Sequence, residues 1–84
     1  MDDEIMAVME VLEVIFRDVF DDEDMKINVT TNANDIDEWD SQAQIRLILQ
    51  IEKHFSLHFD ASEIENLENV GQMAELISLK QASD

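Results

Sequence analysis

The stretch that decides the fold is residues 37–55, which read DEWDSQAQIRLILQIEKHF. From residue 45 onward, apolar side chains recur every three or four positions, the period of one face of an α-helix. This stretch therefore predicts an amphipathic helix over residues 41–55. The predicted inner stripe is Ile45, Ile48, Ile51 and Phe55, widened by Leu47 and Leu49.

The start of this helix is predicted at Ser41. Ser41-Gln42-Ala43-Gln44 fits a capping box, with Ser41 at the cap and Gln44 at the third helical position. Ser41 is then expected at a helix N-terminus directly after a loop. A plain cap is one interpretation of Ser41, and its loss would cost about 1 kcal/mol of stability.

The rest of the chain predicts three more helices and one long loop. Apolar spacing indicates a helix over residues 4–20, and turn-forming residues fill a loop over 21–40. A short helix opens at Asp60 and runs to about Asn66, and a last one runs from Asn69 to about Leu79. The prediction is an all-α four-helix bundle with a long first loop and a short third helix, as a single domain over residues 1–84.

The charge is strongly acidic, with 21 Asp and Glu against 5 Lys and Arg and a net charge of −16. Such a surface repels nucleic acids and anionic membranes and attracts basic protein surfaces, so neither nucleic acid nor membrane is expected as a partner. The chain has no Cys, which excludes a disulfide framework and thiolate metal sites. Met1-Asp2-Asp3-Glu4 is the reverse of a basic targeting start, so a cytoplasmic location is expected.

The order of several short motifs resembles that of acyl carrier proteins and the related peptidyl carrier domains. The resemblance runs from about residue 4 to residue 79 and rests on an Asp-Ser pair at a loop-to-helix junction. The motifs are Asp40-Ser41, Glu52-Lys53-His54-Phe55, Phe59-Asp60, Glu63-Ile64 and Asn69-Val70.

The resemblance implies a carrier and not an enzyme. Ser41 would be esterified to 4′-phosphopantetheine derived from coenzyme A, with Asp40 completing the attachment motif, and the thiol of the arm would hold an intermediate as a thioester. The implied partners are a phosphopantetheinyl transferase, an acyl- or aminoacyl-loading enzyme, and a downstream synthase or transferase. The carrier itself is expected to be a monomer.

The resemblance also implies roles for residues around Ser41. The residues expected to contact partners are Trp39, Gln42, Ala43, Arg46 and Ile64, and those expected to line a cleft for the acyl chain are Leu49, Ile64 and Leu67. Gln42 departs from the family, which usually has Leu or Met after the Ser. Packing beside the site is the first expectation for Trp39, and ordinary core packing is the alternative for the three cleft residues.

The charge of the second helix favours one subtype of carrier. Fatty-acid-type carriers have a strongly acidic second helix, whereas residues 41–55 contain only Glu52 as an acid beside Arg46 and Lys53. We therefore expect a specialised, polyketide-like pathway. A fatty-acid carrier and an aminoacyl or peptidyl carrier are the alternatives.

Three other classes compete with the carrier interpretation. A catalytic triad of Asp40, Ser41 and His54 or His58 is disfavoured, because His54 lies about 20 Å along the same helix from Ser41. Carboxylates at 21–24 and 35–38 lack the ladder of a calcium-binding loop, so no metal is expected. An acidic protein-interaction module without a cofactor fits the charge but does not account for the Asp-Ser junction.

Overall fold

The computed structural model describes residues 3–82, which form four α-helices. Their bounds are α1 Asp3–Val19, α2 Ser41–Phe55, α3 Ala61–Glu65 and α4 Val70–Ala82. The predicted all-α architecture with a long first loop and a short third helix is confirmed. The predicted domain also includes residues 1, 2, 83 and 84, which lie outside the described residues.

The core lies where α1 packs against α2 and α4. One face of each of these helices is buried, because the apolar residues of each recur at helical spacing. The largest fully buried side chains are Phe16, Leu12, Leu47, Ile51, Met73, Ile77 and Val70.

The predicted inner stripe of α2 is wrong at two positions. Ile48 and Ile51 are buried as expected, but Ile45 and Leu49 are 60% and 59% exposed. The packed side of α2 is centred on Leu47, and Ile45 lies about 200° away from Leu47 around the helix axis. These two side chains therefore face solvent.

The first half of the long loop is attached to α1 by side-chain hydrogen bonds. Arg17 Nε donates to the Met25 carbonyl at 2.7 Å, and the Ile27 N–H donates to Glu13 Oε2 at 3.1 Å. Glu13 Oε1 also accepts from Arg17 at 3.0 Å. One ion pair on α1 thus binds two backbone groups of a segment without regular structure.

The middle of the loop is attached to the start of α4. The N–H groups of Val70 and Gly71 donate to the carbonyls of Thr31 and Val29 at 2.8 and 2.9 Å. A Cβ at Gly71 would lie 2.7 Å from the Val29 oxygen. The single glycine of the chain therefore stands where a backbone approaches the helix closely.

Lys80, in the last turn of α4, contacts the segment that contains the short α3. The Lys80 ammonium lies 2.9 Å from Glu63 and 5.4 Å from the centre of the Phe59 ring. These contacts give the last turn of α4 a partner, and α4 accordingly continues past Leu79, where the sequence predicts its end, to Ala82.

None of the helices within residues 3–82 combines the length and apolar character needed to cross a membrane.

Candidate functional site

The N-cap of α2 is Asp40, so the prediction that Ser41 caps this helix is wrong. Asp40 has an extended backbone, and its Oδ1 accepts the Ala43 N–H at 2.9 Å. Its carbonyl accepts the Gln44 N–H at 2.9 Å, the first bond of the helix. An Asp at this position satisfies a helix terminus as well as a Ser does, so the cap falls one residue earlier.

This one-residue shift leaves the Ser41 hydroxyl available. Ser41 is the first helical residue, and its side chain is exposed. Because Asp40 supplies the cap, modification of Ser41 Oγ removes no capping bond. The N–H groups of Ser41 and Gln42 precede the first helical hydrogen bond, at the positive end of the helix dipole.

Trp39 holds the loop immediately before the site. Its indole stacks edge-on against the buried Phe16, with ring centroids 5.2 Å apart and an interplanar angle of 83°. Its Nε1 donates to Gln44 Oε1 at 2.7 Å, which gives the Gln44 side chain a different role from the predicted capping box. Trp39 therefore couples the loop to both α1 and α2.

An open groove of about 560 Å³ borders Ser41 on the side of α3. The half-buried Ile64 and Leu67 lie on one wall, and Ile45 lies on the other. The apolar period of α2 predicts Ile45 in the core, whereas the structure places it in this groove. The complete lining is Ala33, Trp39, Asp40, Ser41, Gln44, Ile45, Ile64, Glu65, Leu67 and Glu68.

Leu49 does not join this groove, contrary to its predicted place beside Ile64 and Leu67. It lines a separate groove between α1 and α2 with Arg46 and Lys53. Each four-residue step along a helix advances about 40° beyond a full turn, so the row from Ser41 through Ile45 rotates away from α3 before Leu49 is reached.

The remaining predicted partner residues divide into exposed and buried. Gln42 and Arg46 are exposed and line a recess beside Asp40. Ala43 is only 7% exposed, and its methyl group belongs to the core. Ala43 therefore presents little surface for a partner to contact.

The histidines lie away from Ser41. His58 contacts the carboxylates of Glu52 at 3.4 Å and Asp60 at 4.0 Å, and the His54 ring lies 5.1 Å from that of Phe55. Residues 3–82 also contain no group of three or more His, Asp or Glu side chains placed to hold a metal ion.

One carboxylate near the groove has a perturbed pKa. Glu63 Oε1 accepts the Asp60 N–H at 2.9 Å and lies 2.9 Å from Lys80. The Asp60 hydrogen bond first, and Lys80 second, lower the pKa of Glu63 below its ordinary value of 4.5. Glu63 therefore stays ionised to a lower pH than an ordinary glutamate, and the ionised carboxylate links α3 to α4.

Comparison with known proteins agrees with this geometry. The family described as "Phosphopantetheine attachment site" matches residues 10–77, and the solution NMR structure of a holo acyl carrier protein from Geobacter metallireducens matches with a TM-score of 0.86. The two chains are 41% identical over 93% of this chain and 90% of the other. No curated protein shows a significant match.

The chain belongs to the family of phosphopantetheine-bearing carrier proteins. Within that family it is an acyl carrier protein, which holds its cargo on a covalently attached 4′-phosphopantetheine and is not itself a catalyst. The reactive thiol belongs to the cofactor, which accounts for a working carrier without Cys.

Proposed function

We propose that Ser41 Oγ is the attachment point of 4′-phosphopantetheine. The observation that carries the proposal is the exposed Ser41 hydroxyl at the first position of α2, relieved of capping by Asp40. The phosphodiester is an anion, and the N-terminus of α2 supplies unpaired N–H groups and a favourable dipole for it. When bound, the arm supplies the thiol that holds the cargo.

Asp40 has two separable roles in this proposal. Its carboxylate caps α2 through the Ala43 N–H and so fixes Ser41 at the end of the helix. Its charge also stands beside the hydroxyl that the transferase must reach. Asp40→Asn keeps a capping side chain and removes the charge, so it separates the two roles.

The groove beside Ser41 provides shelter for an acyl chain. Ile45, Ile64 and Leu67 offer apolar surface within the same groove as the attachment serine. Its open shape suits a cargo that must enter and leave repeatedly. Leu49 has no part in this shelter, because it lines the groove on the side of α1.

The cargo is an intermediate of a specialised, polyketide-like pathway. The support is the surface of α2, whose only acidic residue, Glu52, is half-buried and accepts the Phe59 N–H at 2.8 Å. If partner enzymes recognised the carrier through carboxylates on this helix, those carboxylates would have to be exposed. The partners are a phosphopantetheinyl transferase, a loading enzyme and a downstream synthase. The carrier acts as a monomer in the cytoplasm.

Intact-protein mass spectrometry tests the attachment site. The protein is incubated with coenzyme A, magnesium and a broad-specificity phosphopantetheinyl transferase, beside Ser41→Ala and the matched exposed serine variant Ser62→Ala. One phosphopantetheinyl group should appear on the wild type and on Ser62→Ala and be absent from Ser41→Ala. If Ser41→Ala still gained a phosphopantetheinyl group, the attachment site would have to be another residue.

The absence of transfer to a folded wild-type protein by several transferases would contradict the proposal and favour an acidic interaction module instead. The pathway is tested separately with the holo protein. Efficient exchange with fatty-acid synthase enzymes, together with replacement of a missing fatty-acid carrier, would overturn the specialised assignment. Specific loading by an amino-acid-activating enzyme would favour an aminoacyl carrier.

A further inference from the structure

One side of α2 carries exposed apolar and basic side chains, although the molecule as a whole is acidic. Ile45 and Leu49 are 60% and 59% exposed and lie one turn apart. Arg46 and Lys53 are exposed on the same side. We call this surface the α2 docking face, and it consists of Gln42, Ile45, Arg46, Leu49, Gln50 and Lys53.

The basic groups of this face have no ion-pair partner among residues 3–82. Arg17 pairs with Glu13 and Lys80 pairs with Glu63, whereas Arg46 and Lys53 make no such contact in the described part of the chain. At the edge towards α1, the Asp18 carboxylate accepts from Gln50 Nε2 at 3.4 Å. Asp21, Glu38 and Asp40 line the recess beside Arg46 but form no ion pair with it. Both cations can therefore pair with carboxylates from outside the molecule, although at Arg46 these would compete with the neighbouring carboxylates.

The α2 docking face is continuous with the attachment site. Arg46 lines both the groove that holds Leu49 and Lys53 and the recess that holds Asp40 and Gln42. The groove between α1 and α2 has a volume of about 330 Å³, which is large enough for a side chain from a partner. An enzyme that reaches Ser41 from this side covers the face.

We propose that the α2 docking face receives a partner enzyme through an apolar projection rimmed by carboxylates. The projection would contact Leu49 and Ile45, and the carboxylates would pair with Arg46 and Lys53. This inference rests on the proposed carrier function and specifies the chemistry of the enzyme that acts on the arm.

Electrostatics favours one orientation of such a partner. Charges separated by more than about 8 Å are screened at physiological ionic strength, so the local sign of a surface governs contact. With a net charge of −16, the rest of the molecule repels an acidic partner. Among residues 3–82, the exposed cations Arg46 and Lys53 make the side next to Ser41 attractive to such a partner, and the repulsion elsewhere contributes to specificity.

The test uses a defined probe, an amphipathic helical peptide whose charged residues are all Glu and whose apolar residues are all Leu. A companion peptide has Lys in place of Glu. Each is titrated into the ¹⁵N-labelled protein before the arm is attached, and backbone amide shifts locate the bound peptide and give its Kd. Arm transfer is measured on the same preparations.

The Glu–Leu peptide should shift the amides of residues 42–53. Arg46→Glu and Lys53→Glu should each weaken its Kd about two- to fivefold, the range of an exposed ion pair. Leu49→Ala should weaken the Kd about tenfold through lost apolar contact. Lys26→Glu is the matched control, because it makes the same charge change on an exposed loop residue, and it should leave the Kd unchanged.

Two results would overturn the inference: no shift at residues 42–53 with the Glu–Leu peptide, or equal weakening by Lys26→Glu and Arg46→Glu. Failure of arm transfer with the peptide still located on α2 would refute the carrier role of Ser41 and support the docking face. Normal arm transfer without peptide binding would refute the docking face alone.

Discussion

The two segments that flank the groove beside Ser41 are held very differently. The loop over residues 20–40 is attached to α1 through Glu13 and Arg17 and to α4 through two backbone hydrogen bonds, and it ends on Trp39 against Phe16. The segment with α3 contains the buried Phe59, but no residue of α3 itself is buried. Lys80 links this segment to α4, because it pairs with Glu63 and lies over the Phe59 ring.

Ala33 and Trp39 line the groove on the side of the loop, here called the loop wall, and Ile64 and Leu67 line it on the side of α3, here called the α3 wall. The difference in attachment shows that the loop wall is the fixed one. The loop wall is held by core packing and by buried or half-buried hydrogen bonds, whereas the α3 wall is held by a partly exposed ion pair and by half-buried apolar contacts. Local opening requires little free energy where few apolar contacts are lost. The groove should therefore admit cargo from the α3 side while Ser41 keeps its position.

Removal of the indole at Trp39 should have the largest effect. Trp39→Ala loses the contact with Phe16 and the bond to Gln44, and it should lower the free energy of unfolding by about 2 kcal/mol. Urea denaturation measures this loss. Trp39→Phe, which keeps a ring, should lose only about 1 kcal/mol. Equal losses in the two variants would show that ring packing contributes nothing to the fixed wall.

A methyl group at Gly71 should come next. Gly71→Ala places a Cβ against the Val29 oxygen, and such overpacking costs about 1–3 kcal/mol, partly offset by the better helix propensity of Ala. The amide shifts of residues 28–32 should change as the loop moves. Gln81→Ala on the exposed side of α4 is the control. Unchanged loop shifts in Gly71→Ala would refute the close approach.

Neutralising Glu13 should lower the free energy of unfolding by a smaller amount, about 1 kcal/mol. The reason is that an uncharged side chain accepts more weakly from Arg17 and from the Ile27 N–H. Glu13→Gln should also increase hydrogen exchange at the Ile27 amide. Glu10→Gln, on an exposed side of the same helix, provides the comparison. The loop attachment would be disproved if both variants exchanged alike.

The smallest effect is expected on the α3 wall, and it should depend on pH. The pKa of Glu63 is lower in the folded protein than its ordinary value, so its stabilising contribution is present above that value and is lost as the pH falls through the lowered pKa. Glu63→Gln should therefore be less stable than the wild type at neutral pH, and the difference should shrink as the pH falls through the lowered pKa.

Unfolding curves of the wild type and Glu63→Gln at neutral pH and at a series of pH values below 4.5 measure this change, with Glu65→Gln as the exposed control in the same helix. A gap between wild type and Glu63→Gln that stays constant with pH would contradict the link through the ionised carboxylate. A larger loss than in Trp39→Ala would reverse the comparison between the two walls.

Local pattern was sufficient for much of the architecture. Residues 41–55 have both the period and the termini of a helix, and the predicted bounds of α2 agree with the structure. The cap was misplaced by one residue because Asp40 and Ser41 are both good N-cap residues, and local sequence does not choose between them. The choice depends on the backbone angles that the loop imposes at Asp40.

The positions of Ile45 and Leu49 could not be predicted from periodicity alone. Both belong to a broad apolar stripe, and which part of such a stripe is buried depends on where α1 lies against α2. The bonds from Glu13 and Arg17 to the loop were missed for a related reason, since they join residues distant in sequence and leave no periodic signal.

The sequence by itself determined the four helices, the acidic surface and the Asp-Ser junction, because helical period, charge and short motifs are local properties of the chain. Only the tertiary structure decided that Asp40 releases the Ser41 hydroxyl, that Ile45 faces the groove while Leu49 turns towards α1, and that one wall of the groove is firmer than the other. Those outcomes depend on how helices rotate and pack, and packing is settled by contacts between distant residues.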